Sequence, residues 1–151
     1  MSMSLLVVVL ASIMGIFQVV QRQTAYVKDR SEALDEMRIA VDRMTKEIRQ
    51  ASIVQPASTA SRLEMTTYIL GVEKEIVYEA AGEELTRTVD GGSEVVLQGD
   101  LTDINVFSYT GDTGGVVQVV SLTLNVHPER RPETTLVLTS EVRLRNHVEA
   151  A

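Results

Sequence analysis

The 151-residue sequence has no cysteine and no tryptophan, two histidines, three prolines and only 4% aromatic residues. Without cysteine there is no disulfide, no thiolate metal centre and no cysteine nucleophile, and the count carries no information on redox compartment. His127 and His147 lack a second histidine or a suitably spaced carboxylate in a metal or triad pattern. A Gly-x-Ser-x-Gly elbow and a phosphate loop are also missing. No catalytic, cofactor-binding or metal-ligating residue is predicted, and the chain reads as a non-enzyme.

Charge is absent at the start and one-sided at the end. The first charged residue is Arg22. Gln21 to Ser52 carries seven basic and six acidic residues, whereas Ile53 to Ala151 carries seven basic and fifteen acidic. The net charge is −7, and an acidic C-terminal part disfavours direct nucleic-acid binding, which needs a basic footprint on the phosphates.

What fills the uncharged start is apolar: Leu5, Leu6, Val7, Val8, Val9, Leu10, Ile13, Ile16, Phe17 and Val20. A spanning helix needs roughly 20 such residues at 1.5 Å each, so residues 1–21 are predicted to form a membrane-inserted helix segment. A cleaved secretory signal fits less well. There is no basic stretch before the apolar run, and the run continues past the point where a small-residue cleavage motif belongs. The expected location is the cytoplasmic membrane, single-pass, with the remainder extracytoplasmic.

No proline interrupts the chain before Pro56, so the same helix is expected to continue through 22–52. Val27, Leu34, Met37, Val41, Met44, Ile48 and Ala51 form one seam, spaced by seven and then by alternating threes and fours. Leu34, Met37, Val41, Met44 and Ile48 are the predicted helix-to-sheet packing residues. Arg38, Asp42 and Lys46, and the pair Arg43 and Glu47, are read as solvent-side i, i+4 partners. Ile39 falls on that polar side, and Met37, Met44 and Met65 read as core filler.

Residues 53–61, with Pro56 and a run of small polar residues, are predicted as a linker loop. From 62 to 147 the apolar period changes to two. Strands are predicted at 62–70, 74–79, 84–89, 94–97, 103–109, 116–126 and 134–145. Val120, Leu122, Leu124 and Val126 share one face, as do Leu136, Leu138, Ser140, Val142 and Leu144. Gly111 to Gly115 offers one carboxylate between two strands and is read as a hairpin turn rather than a calcium or phosphate loop, as is Asp90-Gly91-Gly92. The predicted class is α+β: a long N-terminal helix whose C-terminal half packs on an antiparallel β head.

Several sets of residues, in this order, resemble type IV pilins and pseudopilins, specifically the minor J-type pseudopilins of type II secretion and related Gram-positive systems. They are Leu5 to Ala11 with Ile16-Phe17, Met37 to Met44 leading to Glu47-Ile48-Arg49-Gln50-Ala51, Tyr78 with Leu85-Thr86-Arg87, and Val142 to Asn146. The resemblance implies a structural prepilin-type subunit of a type IV pilus or type II secretion-like filament. Such a precursor is held in the membrane, processed by a prepilin peptidase, methylated and then assembled. The partners it implies are other pilin or pseudopilin subunits, the membrane and assembly-platform proteins, with no cofactor.

The sequence departs from the family at its start. Met1-Ser2-Met3-Ser4 has neither the basic leader nor the Gly-Phe-Thr-Leu-type cleavage motif, and no acidic residue precedes Asp29. The expectation is that the true start lies upstream. The alternative reading is a single-pass membrane protein outside any filament, whose extracytoplasmic β domain binds a protein partner.

Overall fold

A computed structural model describes residues 2–111, 116–128 and 133–145; within these, the side chains of 2–12, 16, 19, 22 and 25 lie outside the description. Helix α1 spans Ser2–Gln50, roughly 70 Å at 1.5 Å per residue. No proline or glycine pair breaks it, and a basic residue, Arg49, occupies its last turn, where positive charge suits the helix dipole. All its side chains from Tyr26 to Gln50 are described.

The chain enters strand β1 (Ala51–Val54) directly from the helix. Strands β2 (Arg62–Ile69), β3 (Val72–Ala81), β4 (Glu84–Val89) and β5 (Val95–Gln98) follow as a meander, giving a five-stranded antiparallel sheet in sequence order. A second antiparallel sheet holds β6 (Phe107–Gly111), β7 (Val117–Val126) and β8 (Leu136–Arg143), also in order. The β2–β3 hairpin closes through Leu70 and Gly71, both at positive φ (53° and 79°), the backbone of a two-residue type I′ turn. Glycine adopts that conformation freely. Leu70 does not, and it is fully exposed.

Backbone hydrogen bonds join the two sheets at both ends of the connection between β5 and β6. Leu101 bridges Val126, the His127 N–H donates to the Asp100 carbonyl at 3.0 Å, and the Leu101 N–H donates to the Glu83 carbonyl at 2.9 Å. At the other end the Phe107 N–H donates to the Ala60 carbonyl at 2.8 Å. The Tyr109 hydroxyl lies 2.8 and 3.0 Å from the carbonyl oxygens of Thr59 and Arg62. One core results, in which α1 contacts β2 and β5 of the first sheet and β7 and β8 of the second.

The burial pattern explains why these segments take these positions. In β7, Val120, Leu122, Leu124 and Val126 are buried and alternate with half-buried polar residues; in β8, Leu136 and Val142 are buried while Val137, Thr139 and Glu141 are exposed. On the helix, Met37, Ala40, Val41, Met44 and Ile48 are buried, and Leu34 packs partly buried against the core. Val27 at the N-terminal end of the seam is exposed, so the docked stretch starts near Ala33.

Five expectations need correction. The helix ends at Gln50 rather than near Ser52, and 53–61 is not wholly a linker: Ala51–Val54 forms β1, paired with β2. The β-branched pair Ile53-Val54 and the Ser52 hydroxyl, which donates to the Thr66 carbonyl at 3.2 Å, favour pairing until Pro56 halts it. The β head therefore begins at Ala51. The strand expected at 103–109 starts only at Phe107 because the Asp103 carboxylate accepts the Asn105 N–H at 2.8 Å and turns the chain. The head contains two sheets, not one. Finally, Glu47 does not belong to the solvent side of the helix.

Candidate functional site

Glu47 lies one residue before the buried Ile48, at the edge of the helix stripe, with its side chain 17% exposed. In an α-helix that position is half turned toward whatever the stripe covers. Arg87 comes from β4, two residues after Leu85 and therefore on the same inward face. Tyr78 comes from β3 between buried Ile76 and Ala80. The Arg87 guanidinium forks onto the carboxylate, Nε to Oε2 at 2.9 Å and Nη2 to Oε1 at 2.9 Å. The Tyr78 hydroxyl donates to Oε2, and the half-exposed Arg43 sits 3.6 Å from Oε1.

These contacts satisfy a charge that would be costly alone. A buried carboxylate without partners loses hydration worth several kcal/mol; here a planar fork and a phenol replace the lost water. The helix is also tied by its backbone, since the Thr67 hydroxyl reaches the Glu47 carbonyl at 3.5 Å. Non-polar packing tolerates slippage along the stripe, whereas a two-bond fork fits one register. The network therefore sets where the head sits on the helix.

The local electrostatics follow from burial and pairing. Burial pushes the Tyr78 hydroxyl far above its ordinary value of 10.0, and the adjoining Glu47 carboxylate adds to the shift. Burial opposes the charge of Arg87, but the hydrogen bonds and charge of Glu47 outweigh it, so its pKa is raised. Burial likewise raises Tyr109. A raised folded-state pKa favours the protonated form, so this contribution is complete below pH 10.0 and disappears as pH rises beyond it. We expect phenolate absorbance from these two tyrosines to appear together with loss of the far-ultraviolet circular dichroism signal. Ionisation of Tyr78 in a chain that keeps its native signal would contradict this.

The N-terminal half of the helix differs in character. Ile13, Met14, Phe17, Val20 and Val27 are exposed, and 13, 17, 20 and 27 recur at the spacing of one helical face. Of the predicted membrane or filament residues, Leu5, Leu6, Val7, Val8, Val9, Leu10 and Ile16 lie outside the described side chains. Among the described residues no helix is long and apolar enough to cross a membrane.

Other singled-out residues are occupied locally. The Asp90 carboxylate accepts the Glu75 N–H at 2.9 Å and pairs with Lys74, which together lower its pKa. His127 Nδ1 lies 3.1 Å from the Thr134 carbonyl. His147 and residues 112–115 lie outside the described residues. No group of three or more His, Asp or Glu side chains placed to hold a metal ion occurs among the described residues.

The sequence reading missed the joint role of Glu47, Tyr78 and Arg87, although each stood within the motifs that carried the resemblance. An arginine on the inward face of a strand was the available signal, because a buried guanidinium requires a carboxylate. Comparison with family models, with curated proteins and with solved structures found no match to this chain.

Proposed function

We propose that this chain is a structural, non-enzymatic subunit of a pilin-like or pseudopilin filament, held in the cytoplasmic membrane by its N-terminal helix before assembly, with the head outside. The observation that carries the reading is the division of one 49-residue helix: the C-terminal half is docked in the β head, while Ile13, Phe17, Val20 and Val27 stand uncovered. Exposed apolar side chains along a helix call for a non-aqueous environment. Lipid and a bundle of like helices are two environments that exchange at little cost, because lipid tails are as apolar as the side chains. Other pilin-like subunits and assembly-platform proteins are the partners this reading requires.

The test is lysine at Val9 or Ile13. A charge at the centre of a spanning segment costs about 2.5–3.5 kcal/mol on insertion scales, enough to reduce insertion about a hundredfold. The variants should leave the membrane fraction, or fail to cross-link to neighbouring subunits, while the head keeps its protease resistance. Normal incorporation of both variants would sink the proposal. Retention in the membrane of the parent chain without any cross-linked neighbour would favour the single-pass, partner-binding alternative.

A further inference from the structure

The turn between β2 and β3 sets a leucine where neither the backbone nor water favours one. Leu70 is fully exposed at φ 53°, a conformation that asparagine or glycine adopts far more readily in a two-residue hairpin. Around it Tyr68, Val72 and Ile53 are about half exposed, and residues 65–72 carry no charge. Ile53 pairs with Thr66, and Tyr68 follows two residues later on the same outward face. The hairpin thus ends in an apolar knob, with exposed Glu73 and Glu75 beside it. Lys74, between them, is engaged with Asp90.

A second uncovered apolar feature lies on the helix. An open groove of about 570 Å³ runs along it, with Val20, Gln23, Thr24, Val27 and Lys28 among its described lining. Val27 is 64% exposed and stands beyond Arg22, the first charge, so the hydrocarbon around a span over 1–21 does not reach it. Gln23 and Lys28 are also poor neighbours for lipid. A protein surface suits this stretch, and a second stem is a poor one. Residues 22–30 hold three basic side chains and one acidic, so identical segments repel each other. The hairpin offers the complement: apolar side chains for Val20 and Val27, and Glu73 and Glu75 for Arg22, Lys28 and Arg30. The Lys28–Glu32 pair at 3.5 Å is exposed and weak, and yields readily.

Knob and groove cannot meet within one molecule. Thr67 pairs with Ala51, which places the hairpin near the C-terminal end of α1, whereas Thr24 lies about 39 Å from Gln50 along the helix. We infer that the β2–β3 hairpin of one copy docks, Leu70 first, in the groove at Val20 and Val27 of a second copy displaced along the helix axis. The two surfaces differ, so the contact is heterologous and repeats from copy to copy. The inference rests on the filament reading, because it needs copies lying side by side.

A chain without cysteine makes the test clean. Cells assembling the full chain with both Val72→Cys and Thr24→Cys are oxidised mildly, and linked peptides are identified by mass spectrometry. Within one molecule the two positions are more than about 20 Å apart, beyond the Cα span of a disulfide, about 4.4–6.8 Å, so every link joins two copies. The double variant should give a ladder of dimers, trimers and longer species joined between the two substituted positions, and neither single variant should link. Leu70→Asn added to the double variant preserves the turn and should lower linking about tenfold or more. Self-linking of Phe17→Cys reports stem contact separately. Stem links without the hairpin-to-groove link would overturn this inference and leave the filament reading in place; loss of both would overturn both. Unchanged linking in the Leu70→Asn background, or dominant self-linking of Thr24→Cys by a second stem, would also overturn it. So would a link to a different protein, or shielding of Val72→Cys from a water-soluble maleimide without any link, which would assign the knob to lipid.

Discussion

Arg87→Ala is expected to destabilise the head by about 3–5 kcal/mol, the usual cost of removing one partner from a buried ion pair. The loss comes less from missing attraction than from what remains. Glu47 keeps a largely buried carboxylate, reached among the described residues by the Tyr78 hydroxyl and by Arg43 at 3.6 Å. Small domains are stable by about 5–15 kcal/mol in total, so the variant should unfold at a much lower urea concentration. Arg43→Ala serves as the contrast: its guanidinium is 46% exposed, and exposed pairs contribute about 0–1 kcal/mol.

The double replacement Glu47→Met with Arg87→Met should recover most of the loss, because it removes the charge and the need for a partner together. Urea unfolding of the full chain in micelles, monitored by circular dichroism, distinguishes the cases. An Arg87→Ala midpoint indistinguishable from that of Arg43→Ala would show that the fork does not hold the helix.

Met44→Ala is expected to cost about 2–5 kcal/mol. Met44 is fully buried in the stripe, between Val41 and Ile48, in the cluster that includes residues of both sheets. Removing its side chain leaves a void that a helix fixed by the Glu47 fork cannot close by sliding. Ile39→Ala, two residues beyond buried Met37 but 70% exposed, should stay within about 0.5 kcal/mol. Equal effects of the two substitutions in thermal unfolding would mean that the docked face has been assigned wrongly.

Much of this arrangement was legible because each element repeats at its own period. The threes and fours from Leu34 to Ile48 define a helix stripe, and the twos in Val120 to Val126 define a strand face; burial follows both patterns. The β4 strand falls where its residues predict, Glu84–Val89. Boundaries fared worse. Ala51–Val54 is too short to show a period, and its pairing with Thr67, Thr66 and Met65 is a long-range event that no local window contains.

The candidate site was harder still to read. Glu47 sits four residues after Arg43, and local spacing assigns the two to each other. The structure brings in Arg87, forty positions away, with better geometry and far less water. Tyr78 has the same origin: it reaches Glu47 from a strand thirty-one positions away.

The sequence by itself determined the absence of cysteine chemistry, the acidic head, the proline-free stretch that permits a helix of this length, and the apolar stripe from Leu34 to Ile48 and the alternating face from Val120 to Val126 that meet in the core. These follow from composition and from periods of 3.6 and 2, which are properties of neighbouring residues. Only the tertiary structure decided that the strands divide into two sheets around one helix and that Glu47 turns inward to Arg87 and Tyr78. Those outcomes depend on burial and on contacts between distant segments, and desolvation of a charge or a carbonyl has no value until the fold has removed the water around it.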